Sequence, residues 1–172
     1  MTLHDLLALG FSDIDDLRAA LADGTLAPDD VTAHVGTDEG EDPESAWLDA
    51  LAEIEIEIPP WFDGGCLPGL TDDGRIDPHD AEGLVVWLRD LAYGGCASGQ
   101  YMPAVTYYQA AETMARYGDD VLQYIEDSGV GECLSGEDIL SRSWSGIAVF
   151  FLSVAVEEWG RATLRALGYD GY

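Results

Sequence analysis

The sequence predicts a mainly α, single-domain helical bundle with an acidic N-terminal helical face and at most one short strand or hairpin near residues 53–58. Three observations carry this. Apolar residues recur at helical spacing in segments bounded by cap residues and glycines. A hydrophobic content of 47% with 10% aromatics, in 172 residues, is enough for one well-buried core. Strict two-residue alternation is confined to Glu53–Ile58. Within the single domain, residues 1–82 read as an acidic helical subregion and residues 83–172 as a hydrophobic helical scaffold.

The elements follow in order. Thr2 caps a short helix ending near Gly10, and Ser12 caps a second helix, Asp13 to Asp23, that stops at Gly24. On that helix Ile14, Leu17 and Leu21 share a face opposite Asp15, Asp16 and Asp23. Pro28 opens a helix to Val35, ended by Gly36, and Thr37–Asp42 is an acidic loop. Asp42 caps a helix from Pro43 to about Ile54, with Trp47, Ala50, Leu51 and Ile54 inward and Asp49 and Glu53 outward. The Glu-Ile repeat at 53–58 reads either as an isolated edge strand or as a frayed helix end before Pro59-Pro60. Residues 59–76, rich in Gly and Pro, read as a long loop.

Further on, Asp77-Pro78 opens a helix to Tyr93 with Leu84, Trp87, Leu88 and Leu91 inward, closed by Gly94-Gly95. One more helix covers Pro103–Arg116 and another Asp120–Asp127. Ser143 caps a last helix from Trp144 to Leu167, closed by Gly168, whose stretch Ile147–Val156 is apolar nearly all round and reads as the central buried helix. Glu157, Arg161 and Arg165, spaced by four, support its exposed end.

Charge is the dominant functional signal. The chain holds 34 Asp and Glu against seven Arg and no Lys, a net charge of −27. Double-stranded DNA carries one charge per roughly 1.7 Å of axis, so 27 surplus charges correspond to about 45 Å of duplex. A compact chain of this length has a diameter of roughly 40 Å. The linear charge density is therefore close to that of DNA. The distribution is uneven: residues 1–82 carry a net −20 and residues 83–172 a net −7.

Several function classes fall away. A P-loop needs a Lys that is absent, and Gly129-Val130-Gly131 continues without the third glycine of a dinucleotide fingerprint. No basic patch is present for nucleic acid or anionic lipid. Residues 1–10 lack the basic segment of a secretory signal, and Gly146–Val156 is too short to span a bilayer, so a soluble, cytoplasmic protein is expected. Cys66, Cys96 and Cys133, odd in number and widely spaced, form no disulfide framework.

Motifs with chemical potential have ordinary readings beside them. Thr71-Asp72-Asp73-Gly74 has the look of a calcium loop, but the positions that Gly74 would fix are Gly69, Thr71 and Asp80, which reads as a solvated turn. The Cys and His residues lack zinc-ligand spacing. Cys96 on a glycine turn with His79 as base would be a hydrolase nucleophile, against the common reading of a small residue packed between helices. Ser145 lacks the leading Gly of a nucleophile elbow. Tyr101, Tyr107, Tyr108, Tyr117 and Tyr124 have no cationic companions for stacking on bases and read as core or boundary residues. The expectation is no catalytic residue, no metal and no cofactor.

The segment Leu91-Ala92-Tyr93-Gly94-Gly95-Cys96-Ala97-Ser98-Gly99, followed by Tyr107-Tyr108, Ser143-Trp144 and the helix with Phe150-Phe151 and Glu157-Glu158, resembles a family of small acidic proteins of unknown function encoded by phages and plasmids. The resemblance covers roughly residues 84–167 and transfers no catalytic residue. Separately, the charge is similar to that of the Ocr- and ArdA-type antirestriction proteins and of acidic anti-CRISPR proteins, which implies binding to the nucleic-acid cleft of a defence protein.

The expected function is thus a non-enzymatic nucleic-acid mimic in the host cytoplasm. Its partner would be a basic nucleic-acid-binding protein, such as a CRISPR effector or a restriction enzyme component; direct binding to nucleic acid or membrane is not expected, and a homodimer is left open. The partner-binding candidates are Asp13, Asp15, Asp16, Asp23, Asp29, Asp30, Asp38, Glu39, Glu41, Asp42, Asp49 and Glu53. The rival readings are a salt-adapted cytosolic protein of a halophile, whose acids should spread over the whole surface, and the small Cys hydrolase.

Overall fold

The computed structural model describes residues 1–38, 40–62, 67–93, 107–133 and 144–169. It is mainly helical: α1 (Leu3–Leu7), α2 (Ile14–Asp23), α3 (Pro28–Val35), α4 (Pro43–Ala52), α5 (Ala81–Tyr93), α6 (Tyr107–Asp127) and α7 (Trp144–Ala166), with a 3-10 turn at Val130–Cys133. The polypeptide forms two compact units: Met1–Ile58 with Gly64–Trp87 and Thr163–Tyr172, and Pro59–Asp63 with Leu88–Ala162.

In the first unit α1, α2 and α3 all pack on α4. Leu3, Leu6, Ile14, Leu17, Val31 and Trp47 are fully or almost fully buried, and Trp47 meets Phe11 edge to face at 5.6 Å. Thr2 builds a capping box: its hydroxyl accepts from the Asp5 N–H at 3.2 Å, and the Asp5 carboxylate accepts from the Thr2 N–H at 2.9 Å. The chain's last turn returns to this unit, where the His4 N–H bonds the Leu167 carbonyl at 3.0 Å. Gly168 there has φ +92°, and a Cβ on it would come within 2.4 Å of the Thr2 hydroxyl, so no other residue fits this closing turn.

The first unit also corrects three boundaries. The cap of α2 is Asp13, not Ser12: the Asp13 carboxylate accepts from the Asp15 and Asp16 N–H groups at 2.9 Å each. Ser12 is occupied otherwise, its hydroxyl by the Asp16 carboxylate and its carbonyl by the Glu82 N–H at 3.2 Å. Asp77-Pro78 does not open α5. The Pro78 carbonyl accepts from the Ile14 N–H at 2.8 Å, so it is withdrawn from the helical ladder, whose first rung runs from the Leu84 N–H to the Asp80 carbonyl at 3.3 Å. Finally, α4 stops at Ala52, and Ile54–Ile58 belongs to neither helix nor strand.

Residues 67–76 are tighter than a long loop. Leu70 and Ile76 form an antiparallel bridge around the turn Thr71–Gly74, and Gly69, at φ +71°, lies where a Cβ would sit 2.5 Å from the Leu84 backbone.

The second unit holds an aromatic cluster besides buried aliphatic side chains such as Leu88, Val121, Ile125 and Leu152. Trp61 stands edge to face with Tyr124 at 5.4 Å, and Phe62 stacks on the buried Trp159 at 4.7 Å. Gly160 lets α7 approach α5, since a Cβ there would lie 3.3 Å from the Leu91 Cβ. Helix α6 consists of two helices joined across a kink at Tyr117 (φ −125°, ψ 15°), which falls where the sequence places the break between Arg116 and Asp120. The stretch Ile147–Val156 is not buried all round. Ala148, Leu152, Ala155 and Val156 are buried, whereas Ile147, Val149, Phe150, Phe151 and Val154 are half-buried. The expected start at Pro103, the cap Ser143 and the Gly94-Gly95 stop lie outside the described residues, as does the Gly-Cys-x-Ser-Gly turn.

At the far end of α7 burial opposes ionisation of the Arg161 guanidinium, but Glu157 and Glu158 outweigh it and hold the group charged. Arg161 also faces the Tyr93 ring, 5.7 Å from its centroid. No helix among the described residues is long and apolar enough to cross a membrane.

Candidate interaction surface

Helices α2, α3 and α4 carry the acids that the sequence singles out. Asp15, Asp16 and Asp23 ride on α2, Asp29 and Asp30 occupy the first turn of α3, and Asp42 and Asp49 cap and ride on α4. Asp38 and Glu41 stand between α3 and α4, and Glu53 follows α4. All of these are exposed. Asp13 is half-buried, because its carboxylate is turned into the helix start. Glu39 lies outside the described residues.

The acids are exposed for the same reason that the helices form. The apolar residues Ile14, Leu17, Val31, Trp47 and Leu51 face inward, so the carboxylates between them face water, while the polar Thr32 is buried with its hydroxyl bonded to helix carbonyls. Helices α2 and α3 both pack on α4, so the acidic helices belong to one compact unit.

Local hydrogen bonds fix several of these groups in the charged state. His79 first, and Arg18 second, hold the Asp15 carboxyl below the usual carboxylate range; the contacts are 2.9 Å from His79 Nδ1 and 3.1 Å from Arg18. Arg18 does the same for Glu44, the Ser45 N–H for Asp42, and Thr25 for Asp23. These carboxylates stay ionised further into acid than free ones.

Two members of the surface escape sequence reading. Arg18 bridges Asp15 and Glu44, tying α2 to α4, and His79 reaches Asp15 from the turn before α5. The Asp15–Arg18 spacing of three is legible on a helix. Glu44 and His79 are 26 and 64 residues from their partners, and nothing local announces them. Both Arg residues of the acidic half are engaged, since Arg75 pairs with Asp73 at 3.4 Å. Neither stands as a free cation against the field.

The chemistry-bearing motifs of the sequence fall only in part among the described residues. No group of three or more His, Cys, Asp or Glu there is placed to hold a metal ion. The turn at Thr71–Gly74 is closed by its own bonds, the Gly74 N–H to the Thr71 carbonyl at 2.9 Å and the Thr71 hydroxyl to Asp73. Cys66 and Cys96 lie outside the described residues, and His79, the base considered for Cys96, is bonded to Asp15. The second unit holds an open groove of about 740 Å³ beside Trp61, Phe62, Glu112 and Arg116, with Arg116 lying over the Tyr117 ring at 5.1 Å.

Comparison with protein families, with curated proteins and with solved structures gives no significant match for this chain.

Proposed function

We propose that this chain is a non-enzymatic nucleic-acid mimic that occupies the nucleic-acid cleft of a basic defence protein, of the CRISPR-effector or restriction-enzyme type. The observation that carries the reading is the concentration of a net −20 in residues 1–82, much of it exposed on and around helices α2, α3 and α4. The carboxylates take the place of phosphates. Binding gains from release of the counterions condensed on the acidic face and in the cleft, as DNA binding does.

Two features of the surface support the reading. The acids sit on packed helices, so their spacing is held before binding and less ordering entropy opposes association. The half-engaged acids retain their charge because neighbours hold their carboxyls low. A salt-adapted protein accounts for the total charge, but adaptation distributes acids evenly, and the net −7 of residues 83–172 departs from that.

The test is displacement. Fluorescent duplex bound to purified restriction and CRISPR complexes should be released by the protein at low salt, with potency falling steeply as salt rises. Failure to release DNA from any of them at low salt contradicts the proposal.

A further inference from the structure

The groove of the second unit has a chemistry of its own. It holds about 740 Å³ and is lined by Pro60, Trp61 and Phe62 and by Glu112, Arg116 and Tyr117 of α6. A volume of this size is ordinary for a small-molecule site. Its aromatic wall is formed in advance, because Trp61 is fixed edge to face on Tyr124 at 5.4 Å and Phe62 on Trp159 at 4.7 Å. Phe62 and Tyr117 are half-buried and Pro60 is exposed, so ring surface is left for a ligand to cover.

Two opposite charges line this groove without pairing. Glu112 and Arg116 are four residues apart on α6, the spacing at which Glu157 and Arg161 close into an ion pair on α7. On α6 that pair does not form. Neither side chain has an ion pair or a hydrogen bond among the described residues, and the Arg116 guanidinium lies instead over the Tyr117 ring, 5.1 Å from its centroid. Both groups are exposed, and a guanidinium stacked on a ring keeps the N–H donors of its plane available to a carboxylate.

We infer that the groove binds a free α-amino acid with an aromatic side chain, its carboxylate on Arg116, its ammonium on Glu112 and its ring against Pro60 and Phe62. Charge decides the class. A net charge of −27 opposes an anion, and Arg116 opposes a simple cation, whereas a zwitterion answers both groups and adds no net charge. Side chains at this helical spacing start about 5–6 Å apart, so the two groups can flank an ammonium and a carboxylate carried on one carbon. The aromatic wall selects the side chain through offset or edge-to-face ring contacts. The inference stands apart from the mimic reading, because the groove lies in the second unit and the acids of that reading in the first.

The experiment uses the full chain and three probes: L-phenylalanine, 3-phenylpropionate, which lacks the ammonium, and phenethylamine, which lacks the carboxylate. Titration calorimetry at one salt concentration should give phenylalanine about fivefold tighter binding than either analogue. Amide NMR shifts on its addition should centre on residues 112–117. Arg116→Gln should weaken phenylalanine and phenylpropionate about fivefold without weakening phenethylamine, and Glu112→Gln should weaken phenylalanine and phenethylamine without weakening phenylpropionate. Should either variant melt early, the three probes and the shifts on the parent chain decide alone. Equal affinity of the three probes, shifts centred elsewhere, or no binding of phenylalanine at about 10 mM overturns the inference. So does tightest binding of phenethylamine, which would mark simple attraction of cations to an acidic chain.

Discussion

Asp13 separates a capping role from a charge role within one side chain. Its carboxylate is half-buried and accepts two N–H bonds of 2.9 Å at the start of α2, so Asp13→Ala leaves two donors of the first turn without their partner. Loss of such a cap costs about 1 kcal/mol. For a chain of this length that lowers the melting temperature by roughly 2–4 °C. Asp13→Ser removes the same charge but keeps an oxygen able to cap, so it should melt within about a degree of the parent. Differential scanning calorimetry on the parent and both variants reads the effect, and partner affinity should fall equally for both, since each loses one charge. If Asp13→Ser is destabilised as much as Asp13→Ala, the charge itself and not the cap holds the helix start, and the structural assignment is wrong.

Other expectations concern the core, the acids and salt. Trp159→Ala, at a site 3% exposed and stacked on Phe62, should cost about 3–5 kcal/mol in chemical denaturation, and Phe151→Ala clearly less because Phe151 is half-buried. Equal losses would show that the aromatic cluster does not order the second unit. Asp5, Asp15, Asp23, Asp42, Glu44 and Asp73 are all held below their ordinary values, so their contribution to stability is present above about pH 5 and is lost as pH falls through about 4 and below. Melts at about 1 M salt, where mutual repulsion is screened, should therefore fall between about pH 5 and 3; a rise there would contradict the sign. A cooperative, high-melting transition at low salt near neutral pH would remove the salt-adapted alternative, which requires strong gains in molar KCl.

Much of the first unit is legible in the sequence because its signals are local. Thr2 with Asp5, Pro28, Gly36 and Asp42 each act within one helical turn, and each performs the role its residue type suggests. The boundaries that moved depend on distant partners. Ser12 yields the cap to Asp13 partly because Glu82 and Asp16 occupy it, and Pro78 leaves the helical ladder because Ile14 takes its carbonyl. Glu53–Ile58 shows the limit of periodicity: the alternation fits a strand, but a strand needs a second backbone that no pattern within six residues specifies, and the segment is neither strand nor helix end. The kink at Tyr117 is by contrast local: non-helical backbone falls beside Gly118, inside the gap expected between Arg116 and Asp120. At the candidate surface the exposed acids follow from amphipathicity, whereas the Arg18–Glu44 bridge between α2 and α4 becomes visible only when the helices meet.

The central claim is that the exposed charge of helices α2, α3 and α4, and not the fold beneath it, engages the partner. Replacing Asp15, Asp16, Asp23, Asp29 and Asp30 together with Asn or Ser removes five exposed charges and leaves the caps Asp13 and Asp42 in place. Partner affinity should be measured across a salt series beside the melting curve of the same variant. The account predicts a native-like melt, an affinity largely lost at low salt and a markedly shallower salt dependence. Unchanged affinity with an unchanged salt slope would contradict it.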